Sequence, residues 1–72
     1  MTKFDAMILM KEGRIEFLKK ELALSKDIIQ RLAKEDFVDD LRIITEAKRV
    51  GDMQNEIAMI QEEIRMIKAL QE

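Results

Sequence analysis

Apolar residues recur along this chain at steps of three and four, or at their sum of seven, in two separate ladders. The first runs through Phe4, Ile8, Ile15, Leu18, Leu22, Ile29 and Leu32; the second runs through Ile43, Val50, Met53, Ile57, Ile60, Ile64 and Ile67. Steps that average 3.5 residues line these side chains up as one seam along a helix, and another helix has to cover that seam. The pattern predicts an all-α chain: a helical hairpin of two long helices. Lys11 and Ser25 fall at seam positions of the first ladder and are the polar interruptions expected to fix its register.

The ends of the helices follow from capping chemistry. Thr2 with Asp5 three residues later reads as a capping pair, so the first helix is expected over 3–34. The turn is placed at 34–36. There Asp36 can cap a second helix over 37–71, and Asp36, Asp39 and Asp40 put negative charge in its first turn, where the helix dipole favours it. Residues 1–72 thus form a single helical-hairpin domain. Gly51-Asp52, preceded by Lys48 and Arg49, offers a possible break into helices 37–50 and 53–71. Against the break, Ile43, Val50, Ile57 and Ile64 keep a seven-residue period across the glycine, and a continuous helix is the preferred reading.

Each seam has an apolar flank beside it: Met7, Met10, Phe17, Leu24 and Ile28 in the first helix, and Met59, Met66 and Leu70 in the second. A helix with a seam and a flank has use for more than one neighbour, as in a four-helix bundle. The seam residues are therefore read as the core of an oligomeric helical bundle or coiled coil, with a homo-oligomer as its simplest form. Methionine side chains also suit surfaces that accept a partner, so Met10, Phe17, Leu24, Met59 and Met66 are candidates for a protein-binding surface.

Composition narrows the chemistry. The 72 residues include no proline, cysteine, histidine, tryptophan or tyrosine. Without cysteine there is no disulfide framework and no thiolate metal site, in keeping with a cytoplasmic protein. The longest apolar run, Ala6 to Met10, is too short to span a membrane, and no membrane partner is expected. Residues 1–34 hold eight Lys and Arg against five Asp and Glu, whereas 35–72 hold five against ten, so the two halves attract when they pack together.

The only hydroxyls are Thr2, Ser25 and Thr45, and no histidine is present to activate them. No catalytic, cofactor-binding or metal-ligating set is identified, and no cofactor is expected. The functional expectation is a small non-catalytic interaction protein, an adaptor, assembly chaperone or inhibitor; its size also suits a phage or mobile-element accessory. The alternative is a nucleic-acid-associated regulator using the basic stripe Lys19, Lys20, Lys26, Arg31 and Lys34. Its weakness is that three phenylalanines are the only aromatics, too few for a stacking platform.

Overall fold

A computed structural model describes residues 2–35 and 40–71 and shows an all-α hairpin of two helices, α1 (Lys3–Ala33) and α2 (Asp40–Gln71). The molecule is a rod of 55 × 16 × 12 Å. Its length is close to the roughly 46–48 Å that helices of 31 and 32 residues span at about 1.5 Å per residue. The expected Asp36 cap and most of the turn lie outside the described residues.

α1 starts behind a closed capping box. The Thr2 backbone N–H donates to Asp5 Oδ2, and the Asp5 N–H donates to Thr2 Oγ1, both at 3.1 Å. Two donors that the first turn would leave unpaired are thereby satisfied. At the other end the Lys34 N–H donates to the Arg31 carbonyl and the Glu35 N–H to the Leu32 carbonyl, tightening the last turn to three-residue spacing.

α2 runs unbroken through Gly51. Neither glycine has a positive φ, so Gly51 makes no left-handed helix end, and a methyl group built there would meet nothing within 4 Å. The basic pair before it marks an exposed helix face rather than a terminus. A helix that buries Met53, Ile57 and Ile60 just beyond the glycine tolerates the roughly 1 kcal/mol that glycine costs relative to alanine.

The helices are antiparallel, as the bonds between them show. Asp5 accepts from the Gln71 amide, Lys11 pairs with Glu63, Arg14 with Glu56 and Glu21 with Arg49, so numbers rise on one helix as they fall on the other. Two of these three interhelical ion pairs join a base on α1 to an acid on α2, the sense in which the charge of the two halves is divided. At the open end, the Asp5 carboxyl is held below the usual carboxylate range, first by the Thr2 backbone N–H and then by Gln71 and the Thr2 hydroxyl.

The buried core follows the seam. Ile8, Ile15 and Leu18 from α1 join Met53, Ile57, Ile60, Ile64 and Ile67 from α2 in one cluster, with Leu22 packed against it. Leu18, at 3% exposure, is the most enclosed of these apolar side chains. Toward the turn the core thins: Ile29, Ile43 and Val50 are half-buried, and Leu32 is buried apart from the cluster. Phe4, the first rung, is 38% exposed at the open end of the hairpin.

Two polar seam residues sit in that thinner half. Ser25 is 1% exposed, the most enclosed polar side chain among the described residues. Glu46 is the rung between Ile43 and Val50, and its Oε2 is buried with no hydrogen-bond partner among the described residues. Lys11, the other seam interruption, is half-buried. Its amine leaves the seam to reach Glu63 Oε2 at 3.1 Å while its stem stays against the core.

Candidate interaction surface

The seam is filled within one chain, and the flank beside it stays exposed. Met10, Phe17, Leu24, Met59 and Met66 are between 51% and 77% exposed, and Leu70 is more than half exposed. Met7 lies at the edge of exposure and Ile28 is half-buried.

These residues share one side of the rod. Arg14 and Glu21 on α1 reach across to Glu56 and Arg49 on α2, so the four mark the side of the hairpin on which the ion pairs run. Phe17 follows Arg14 by three residues and Leu24 follows Glu21 by three, about 60° further round the helix and away from the seam. Met59 and Met66 follow Glu56 and Glu63 by the same step on α2. The result is a face with a central row of ion pairs and an apolar shoulder along each helix.

The row is held more firmly than isolated surface pairs. The Arg14 guanidinium is 3.2 Å from Glu56 Oε1 and lies over the Phe17 ring at 5.3 Å from its centroid, so one cation is shared between a carboxylate and an aromatic face. Arg49 Nη2 donates to Glu21 Oε2 at 3.2 Å. Each pair is half-exposed and worth little alone, but together they fix where the two shoulders stand relative to one another.

The other side of the hairpin has a shallow depression lined by Leu9, Glu12, Gly13, Ile15, Glu16, Lys19 and Gln61. Its lining mixes both charges with apolar carbon. It brings together no set of groups that would act on a substrate. Among the described residues no group of three or more acidic side chains could hold a metal ion, and no helix is long and apolar enough to cross a membrane.

The basic stripe is not gathered into one line. Lys19, Lys20, Lys26, Arg31 and Lys34 are all exposed, but Lys19 and Lys20 differ by about 100° around the helix, and Arg31 lies further round still. Arg31 is bound by Asp27 at 2.9 Å one turn before it. On α2, Arg65 is likewise paired with Glu62, which lowers the Glu62 carboxyl and raises the Arg65 guanidinium. Compared with known proteins, the chain matches no family model, no curated protein and no solved structure.

Proposed function

We propose that this chain is a small non-catalytic interaction module of the cytoplasm, a helical hairpin that self-associates and offers a helical surface to another protein. Adaptor, assembly chaperone and inhibitor are the roles that such a module fills, including as an accessory of a phage or mobile element. One observation carries the reading: the seam is satisfied inside the chain, yet large apolar side chains stand exposed in register along one side of it. Two exposed apolar rows on one side, with a row of ion pairs between them, give a partner both hydrophobic and charged contacts.

Met59 and Met66 supply the test. They lie one heptad apart on α2 and are 60% and 56% exposed, so lysine at both positions reaches solvent in the free hairpin but is buried unpaired in a complex. With the tagged chain as bait, the Met59→Lys, Met66→Lys variant is expected to lose the proteins that the unaltered chain captures from its native host, while its helicity by circular dichroism is unchanged. An undiminished set of captured proteins would remove this surface from consideration.

A further inference from the structure

We infer that α1 carries a second, self-complementary seam through which two copies of this chain pair antiparallel about a two-fold axis near Phe17. The pairing rests on the self-association proposed above and specifies its face and symmetry. Beside the buried seam, α1 has another ladder with steps of three and four: Met7, Met10, Arg14, Phe17, Glu21, Leu24 and Ile28. Five of these seven positions are apolar. The two charged ones are of opposite sign and flank the central phenylalanine.

The ladder reads the same from either end, except that its charge changes sign. Met10 and Leu24 are each seven residues from Phe17; Met7 and Ile28 are ten and eleven away; Arg14 and Glu21 are three and four away. When a second α1 runs antiparallel across the first with Phe17 at the centre, Arg14 comes beside Glu21 of the second copy and Glu21 beside its Arg14. Apolar rungs meet apolar rungs on both sides. A closed two-fold contact requires a patch that complements itself in this way.

The in-chain ion pairs fit the same arrangement. Arg14 is already held by Glu56 and Glu21 by Arg49, so pairing two copies joins these into a network of alternating charge and strands no ion. Lys19, about 200° round the helix from Phe17, and Lys26 are directed away from the contact, whereas Lys20, about 60° from Phe17, stands at its border. α2 has no equivalent: the same line of positions there runs Arg49, Asp52, Glu56, Met59, Glu63, Met66, Leu70, apolar only toward its end.

Charge reversal tests the pairing. Arg14→Glu sets two carboxylates against each other at both contacts, and Glu21→Arg sets two guanidinium groups against each other. In sedimentation equilibrium each variant alone is therefore expected to dissociate about tenfold or more readily than the unaltered chain. Mixed one to one, the two variants again pair a carboxylate with a guanidinium at both contacts, and the dimer is expected to return as a heterodimer. Circular dichroism of each variant establishes that it remains helical. If the mixture stays monomeric, or either variant alone dimerises like the unaltered chain, the α1 pairing is wrong, whereas the broader self-association reading falls only if the unaltered chain is itself a monomer.

Discussion

Ile57→Asp is expected to cost the chain about 3–5 kcal/mol and to lower its melting temperature by at least about 12 °C. Ile57 is 8% exposed in the centre of the α2 seam and belongs to the apolar cluster that joins the helices. Aspartate there loses the apolar burial of an isoleucine and places a carboxylate in a cluster of apolar side chains, a loss of about 3–5 kcal/mol. A chain of this length is stabilised by roughly 4–10 kcal/mol in all, so the change removes much of what holds it. Leu22→Asp should cost less, because Leu22 is half-buried and a side chain there can turn toward solvent. Thermal melting followed by circular dichroism checks both, and a wild-type melting temperature for Ile57→Asp would show that the seam is not the core.

The opposite sign is expected for Glu46→Leu. Glu46 occupies a seam position with one carboxylate oxygen buried and unpaired among the described residues, while the rungs on either side of it are isoleucine and valine. Leucine removes the desolvated oxygen and continues the apolar ladder, a gain of about 1–3 kcal/mol. In a domain of this size each change of about 1 kcal/mol moves the melting temperature by about 4–8 °C. A variant that melts lower than the unaltered chain would show that the carboxylate contributes a contact that outweighs its burial.

The hairpin is legible in the sequence because its signal is periodic and redundant. Ile57, Ile60, Ile64 and Ile67 cannot all be buried except on one face of a helix, and Thr2 with Asp5 marks a helix start through two reciprocal hydrogen bonds. The same redundancy decides Gly51: one glycine does not end a helix whose seam keeps phase on both sides of it. Glu46 is harder to see, because a ladder is read from its apolar rungs and a single polar residue between Ile43 and Val50 looks like a skipped step. What marks it is its spacing, three residues after one rung and four before the next.

The interaction face is legible only as a set of flanking residues. That the shoulders of α1 and α2 lie on the same side depends on which helix edges face each other, and this follows from the Arg14–Glu56 and Glu21–Arg49 pairs. Sequence spacing alone places Met10, Phe17 and Leu24 on one stripe but does not say what lies across from it. The charge division between the halves points to attraction, and two of the three interhelical ion pairs among the described residues run in that sense.

Self-association is the claim on which the functional reading and the pairing of α1 both depend. Sedimentation equilibrium of the unaltered chain at micromolar concentrations tests it most directly. The expected result is a species of two chains, twice the 8.5 kDa of one, dissociating on dilution. A fully helical species that holds the mass of a single chain across that range would contradict it.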